Sequence, residues 1–332
     1  MFITVGFQGS EGSFTNKAAT NFFSPICSGS IIFSPMGANT KTIFEQVGAG
    51  NLSYGVIPVE SSNHGTMPMY LESLLKHSGN VCIVGETIER EHHCLCAQAG
   101  TTEGSIVRIV SHPIILEDCS VFIEALAARS DITIEQVSAS GSAVACKQLG
   151  ADSTNTTSAV ICTRDAAALY GLNVLSQSVG NDRNSETRYI IISASASATG
   201  ETDVLNLSSN QSRNPNEKLK GSMTLSIKNT PGSMFKMMSC FAMRDINILK
   251  IESRPSSAAI GLNDSVGSVF RHWDMIFFID YEISDDESTV AGLWSNLNEY
   301  CDWTRPLGVY KQFVQQAVTV TERADWNSML DI

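Results

Sequence analysis

The sequence predicts an α/β protein of two unequal parts. Sheets carrying helices on both faces occupy residues 1–193, and a smaller ferredoxin-like βαββαβ module occupies residues 222–312. Three observations carry this reading. Short apolar runs alternate with helical stretches at the pitch of α/β units as far as Ser193. The composition then turns abruptly to Ser, Ala, Asn and Thr, which reads as a linker over residues 194–221. A second strand–helix alternation begins at Met223, and residues 313–332 follow it as a tail.

Taken in order, Met1 to Phe7 is strand-like and runs into a Gly-rich turn. Val56-Ile57-Pro58-Val59 reads as a buried strand, and Met69 to His77 as a helix with Leu71, Leu74 and Leu75 on one face. Val81 to Glu86 opens a second unit. It contains a strand at Cys94–Ala97 with both thiols on one side, a strand at Ile106–Val110, helices at Ile115–Ala128 and Ser142–Leu149, and a strand at Ala159–Cys162. His92-His93 reads as a pair of strand residues. The strand Thr187–Ser193 closes the first part. In the smaller module, strands are expected at Thr224–Ile227, Asn247–Glu252 and Trp273–Asp280. Helices are expected at Met234–Met243 and over 286–300, and a polar loop at Ser256–Ser268.

Composition excludes several function classes. Lys and Arg number 22 against 34 Asp and Glu, a net charge of −12 with no basic cluster, which argues against nucleic acid and anionic membranes as partners. No apolar run reaches the roughly 18 residues of a membrane span. Nine scattered cysteines without a Cys-x-x-Cys, and six histidines outside zinc spacing, point to a reducing compartment with no metal and no cofactor. The first residues lack a signal-peptide pattern, so a cytoplasmic location is expected, or a plastid one where a transit peptide has been removed.

Five separated blocks then stand in a telling order: Gly9-Ser10-Glu11-Gly12-Ser13-Phe14-Thr15, Pro58-Val59-Glu60-Ser61-Ser62-Asn63-His64-Gly65, Ser111-His112-Pro113, Ser138-Ala139-Ser140 through Gln148, and Glu186-Thr187-Arg188-Tyr189. Further on stand Pro231-Gly232-Ser233-Met234 and Asn247 through Glu252-Ser253-Arg254-Pro255. Together they resemble the prephenate dehydratase family, whose substrate is prephenate or arogenate, with its C-terminal ACT domain. The departures are Ser10 for Pro, Ser61 and Ser185 for Asn, and Tyr189 for Phe.

The resemblance implies two lobes like a type II periplasmic binding protein, about 1–80 with 182–193 and about 81–181, with a cleft between them. It implies Thr187 as the donor to the departing hydroxyl, with Glu60, Ser61, Ser140 and Gln148 as the other catalytic candidates. Gly9, Glu11, Gly12, Ser62 and Arg188 are implied to bind substrate. Gly232, Ser233, Met234, Glu252, Ser253, Arg254 and Pro255 are implied to bind L-phenylalanine as effector, in a homodimer or homotetramer. Alternatives stay open at this level. Arg188 clamps a carboxylate or bridges lobes, the serines cap helices or bind anions, and the two lobes form an enzyme or a solute-binding sensor.

Overall fold

The computed structural model describes residues 2–26, 30–195, 218–255, 275–284 and 286–313. They form three sheets. The first is built from β1 (Ile3–Phe7), β2 (Ile31–Pro35), β3 (Tyr54–Ser61), β5 (Val81–Arg90) and β11 (Glu186–Ala194), in the order β2-β1-β3-β11-β5, with the short β4 (Gly65–Thr66) paired to β3. The second is built from β6 (Cys94–Ala97), β7 (Arg108–Ser111), β8 (Glu135–Ser138), β9 (Ser158–Cys162) and β10 (Asn173–Gln177), in the order β10-β6-β9-β7-β8. The third is built from β12 (Leu219–Ile227), β13 (Ile248–Pro255), β14 (Met275–Glu282) and β15 (Cys301–Lys311), in the order β13-β14-β12-β15.

Strand alternation decides which helices each face receives. Val5, Phe7, Val56, Tyr189 and Ile191 of the first sheet pack on α1 (Phe14–Phe23). Ile57, Val59, Ile190 and Ile192 face the other way, toward α2 (Thr40–Gly48) and α3 (Pro68–His77). In the second sheet, Cys94, Cys96, Val160 and Cys162 pack on α6 (Ser142–Gly150) and α7 (Arg164–Leu169). Leu95, Ile109 and Ile161 pack on α4 (Pro113–Asp118) and α5 (Ser120–Ser130). Of the eight cysteines among the described residues, seven are buried. No helix among these residues is long and apolar enough to cross a membrane.

The third sheet buries Met223, Leu225, Phe277 and Ile279 against α8 (Ser233–Ala242) and α9 (Glu287–Tyr300). Its opposite face is covered too: Ile276, Phe278, Trp303, Leu307 and Tyr310 join the core of the first sheet beside α3 and β5. The two sheets approach to backbone contact at Gly308, where a Cβ would lie 2.1 Å from the carbonyl oxygen of Ile83.

Several expectations are corrected. Val81–Arg90 belongs to the first sheet, because β5 pairs with β11 along nearly its whole length; the second sheet starts only at Cys94. The helix expected at Ile115–Ala128 is two helices meeting at Cys119. His92 and His93 lie between β5 and β6, outside any strand. The third sheet starts at Leu219, inside the expected linker. Most of that linker, the loop Ser256–Ser268 and nearly all of the tail lie outside the described residues.

Candidate active site

The chain crosses between the first two sheets twice, at Glu91–His93 and between Gln177 and Glu186, and a cleft of about 660 Å³ opens beside these crossings. The first turns of five helices line it: Phe14 and Thr15 of α1, Thr40 of α2, Pro68 to Tyr70 of α3, Ile114 and Ile115 of α4, and Ser142 to Val144 of α6. Leading amides of a helix have no intrahelical acceptor, and the helix dipole makes that end positive. At α6 the N-cap is Gly141, which has no side chain to cap with. At α1 the Ser13 hydroxyl caps only the Asn16 amide. Among the described residues that line it there is no Lys or Arg. The cleft is therefore equipped to hold carboxylates by backbone amides.

Thr187, the second residue of β11, stands in this wall and is 2% exposed. Its Oγ1 donates to Glu91 Oε1 at 2.9 Å. Burial raises the Glu91 pKa and Asp118 raises it further, while the Thr187 bond and His64 pull it down. Asp118, across the cleft on α4, takes His64 Nε2 at 2.9 Å and Asn63 Nδ2 at 3.4 Å, which ties the β3–β4 turn to the second lobe. His93 is 1% exposed, packs edge-on against Phe14 and makes no hydrogen bond to a described residue through either ring nitrogen. Burial pushes its pKa down to about 4, so it is neutral at pH 7. Glu91, His93 and Asp118 offer three metal-ligating atoms within 4.8 Å of one another. Two of the three already hold other partners, Thr187 and His64.

The structure sorts the sequence candidates. Thr187, Ser61, Ser140 and Gly9 all line the cleft, and Ser61 lies directly opposite Thr187 in the β3–β11 register. The others do not. Gln148 is exposed in the last turn of α6, because two turns of helix carry it about 11 Å from the N-terminal end that faces the cleft. Ser62 spends its amide and hydroxyl on Glu186. Glu11 is exposed and lies outside the cleft lining. Gly12 serves close packing between lobes: a Cβ would sit 2.8 Å from Ala166 Cα, and its carbonyl accepts from Thr163 Oγ1 at 2.5 Å.

Arg188 and Glu60 lie behind the sheet, away from the cleft. Arg188 pairs with Glu60 at 3.1 Å, Glu86 at 3.2 Å and Asp280 of β14 at 3.2 Å. Lys220 of β12 meets Glu86 at 2.8 Å, and Lys250 of β13 meets Glu60 at 2.8 Å. Burial alone would raise the Glu60 pKa, but Lys250 and Arg188 outweigh it and hold it low. The cation expected in the cleft thus docks the third sheet. Sequence reading missed Glu91, Asp118, His64 and Phe14. Phe14 lay inside a recognised block. Glu91 and Asp118 lay in none, and nothing in their spacing marks them.

In the smaller module the register places Arg254 opposite Ile276 and Ile276 opposite Ser226. The end of β13, Glu252 to Pro255, therefore lies at the same end of the sheet as the turn into α8, with Gly232, Ser233 and Met234. Arg254 is a strand residue paired with Glu252 at 3.2 Å. Gly232 has φ +81°, and a Cβ there would meet no described residue within 4 Å. A side chain at 232 would strain the backbone.

A family model described as prephenate dehydratase matches residues 5–197. The chain is 28% identical over 308 residues to arogenate dehydratase/prephenate dehydratase 2, chloroplastic, of Arabidopsis thaliana, covering 93% of this chain and 72% of that protein. It is 28% identical over 312 residues to the bifunctional chorismate mutase/prephenate dehydratase of Pseudomonas aeruginosa, covering 94% and 74%. Among solved structures, the prephenate dehydratase of Arthrobacter aurescens in complex with L-Phe superposes with a TM-score of 0.74 at 23% identity, over 99% of this chain and 97% of that one. GqqA, described as a novel type of quorum quenching acylase, gives 0.71 at 20% identity over 93% and 98%. Likenesses this distant establish a shared fold, and the acylase is a reminder that a fold does not carry one chemistry.

Proposed function

This chain belongs to the prephenate dehydratase family, carbon–oxygen lyases of aromatic amino acid biosynthesis, and we propose that its cleft converts prephenate to phenylpyruvate, carbon dioxide and water. The observation that carries the reading is the pairing of a buried, cleft-facing Thr187 with helix N-termini in a wall whose described residues include no Lys or Arg. The substrate's two carboxylates take the amides at α1 and α6. Thr187 donates to the ring hydroxyl as it leaves, and Ser61 and Ser140 flank it. Aromatisation of the ring drives loss of the carboxylate, so the protein needs only to orient the dianion, protonate the hydroxyl and exclude competing water. Purified protein incubated with prephenate should form phenylpyruvate; absence of turnover with both prephenate and arogenate would refute the dehydratase reading.

Arogenate is the second reading, and one observation favours it. Glu91 and Asp118 place two carboxyl groups in a wall whose described residues include no Lys or Arg. An ammonium group on the substrate, where prephenate has a keto group, would meet them favourably. The ratio of kcat/KM for the two substrates decides between the readings.

Residues 1–193 are proposed as the catalytic unit, in two lobes like a periplasmic binding protein, and residues 222–312 as an ACT regulatory domain that binds L-phenylalanine near Gly232 and the end of β13. Support comes from the βαββαβ order and from the shared sheet end of these two segments. An exposed apolar stripe of Met234, Phe235 and Met238 on α8 suits side-by-side pairing of two such domains in a dimer or tetramer. Calorimetry with L-phenylalanine and sedimentation at several protein concentrations test both points.

A further inference from the structure

We propose that Glu91 supplies, through Thr187, the proton that the dehydration consumes. The proposal rests on the dehydratase reading. Prephenate is a dianion; its products are a monoanion, neutral carbon dioxide and water, so each turnover takes up one proton. A threonine hydroxyl cannot provide it alone, because the alkoxide left behind is far too basic. A second group must return a proton to Thr187 as its own departs.

Glu91 is placed for this. Its carboxyl lies 2.9 Å from Thr187 Oγ1, and both residues line the cleft. When ionised, Glu91 takes the Thr187 hydrogen and turns it away from the cleft. When protonated, Glu91 donates to Oγ1 and frees that hydrogen to point at a substrate. The surroundings keep the proton within reach. Burial and Asp118 raise the Glu91 pKa against the opposing pull of Thr187 and His64. His93, 3.9 Å from Glu91 Oε2, is neutral and places no positive charge there. The other cleft carboxylate, Asp118, is held by His64 and Asn63 and has no bond to Thr187.

The step balances as follows. The Thr187 hydrogen passes to the leaving hydroxyl, the ring C–O bond breaks and water departs with that bond's electron pair. The electron pair of the bond to the ring carboxylate becomes a ring double bond, and carbon dioxide leaves. The Glu91 proton passes to Thr187 Oγ1. Glu91 is left as carboxylate and is reprotonated from water through the open cleft. Glu91 acts through Thr187 and is a positioning and proton-supplying residue.

The test is steady-state kinetics against pH for wild type, Glu91→Gln, Thr187→Ala and the double variant, with melting temperatures as a folding control. Gln keeps the shape and a hydrogen bond to Thr187 but has no proton to transfer. The relay predicts a kcat loss of about 10²-fold in Glu91→Gln. It also predicts disappearance of the alkaline limb that wild type shows as Glu91 ionises, and no further loss when Glu91→Gln is added to Thr187→Ala. Glu91→Asp should restore part of the limb. A Glu91→Gln enzyme with wild-type turnover and pH profile overturns the relay and leaves the dehydratase reading standing. So does a double variant whose two losses multiply. A wild type that turns over neither substrate removes the dehydratase reading, and the relay with it.

Discussion

Thr187 and Arg188 are neighbours on one strand and live in opposite electrostatic worlds. On the cleft side, Thr187 bonds to Glu91, in a wall whose described residues contain carboxyl groups and no Lys or Arg. On the back side, Arg188 sits among Glu60, Glu86 and Asp280, with Lys220 and Lys250 completing the neutralisation. Burial acts on carboxylates in both places. In the cleft it prevails and raises the Glu91 pKa. Behind the sheet two cations overcome it and lower that of Glu60. Arg188, Lys220 and Lys250 thus join the third sheet to the first, while the cleft side of the same strand faces a carboxyl group whose pKa burial raises.

The comparison breaks most visibly at Arg188. Replacing it with Leu leaves three carboxylates short of a cation in a buried interface and should cost about 3–5 kcal/mol of stability. Urea unfolding checks this; a loss under about 1 kcal/mol would mean that the interface is wet and the network dispensable. Thr187→Ala, on the other face, should leave the circular dichroism spectrum unchanged and lower kcat by about 10²-fold, or roughly 2.7 kcal/mol of barrier. Turnover close to that of wild type would show Thr187 to be merely structural.

Gly308→Ala tests the same interface through packing. The added methyl would stand 2.1 Å from the Ile83 carbonyl oxygen, and neither backbone can retreat without separating the two sheets. A stability loss of about 1–3 kcal/mol is expected, read as a lower melting temperature. If the melting temperature does not move, the third sheet does not dock there.

The smallest effects sharpen the comparison by their opposite signs. Glu60 has a lowered folded pKa, so its contribution is present above its unfolded value near 4.5 and fades as pH falls through the folded value. Glu91 has a raised folded pKa, so its contribution is present at low pH and is lost as pH rises from about 4.5 through the folded value. Relative to wild type, Glu60→Gln should therefore lose stability and Glu91→Gln should gain it as pH is raised from 4 to 8. Melting temperatures across that range decide; parallel curves for the two variants would mean that the two environments do not differ.

Much of this was legible without coordinates. The alternation of Thr187, Arg188 and Tyr189 required that neighbours face opposite sides of a strand, and they do. Gly9, Ser61, Ser140 and Thr187, read from separated blocks, meet in one cleft. The failures have a common cause. Gln148 was carried over from a family block, and neither that block nor helical phase fixes its distance along the axis from the cleft. Val81–Arg90 was assigned to the second unit because it follows a helix and looks like a fresh start, yet its hydrogen bonds go to β11, about a hundred residues later. The edge strands β2 and β8 went unseen because half-exposed strands lack a strong apolar period.

What the sequence by itself determined is local and periodic: most of the strands and helices in their order, the faces they present, the blocks that mark the family, and the first five elements of the smaller module. What tertiary structure decided is which face looks at what. Glu91 is 96 residues from Thr187, and Asp280 lies still further along the chain from Arg188's other partners, Glu60 and Glu86. The period of a strand sets a side chain's direction relative to its own backbone. Only the order of strands in the sheet, and the third sheet stacked behind it, determine whether that direction ends in a cleft or in a buried salt-bridge network.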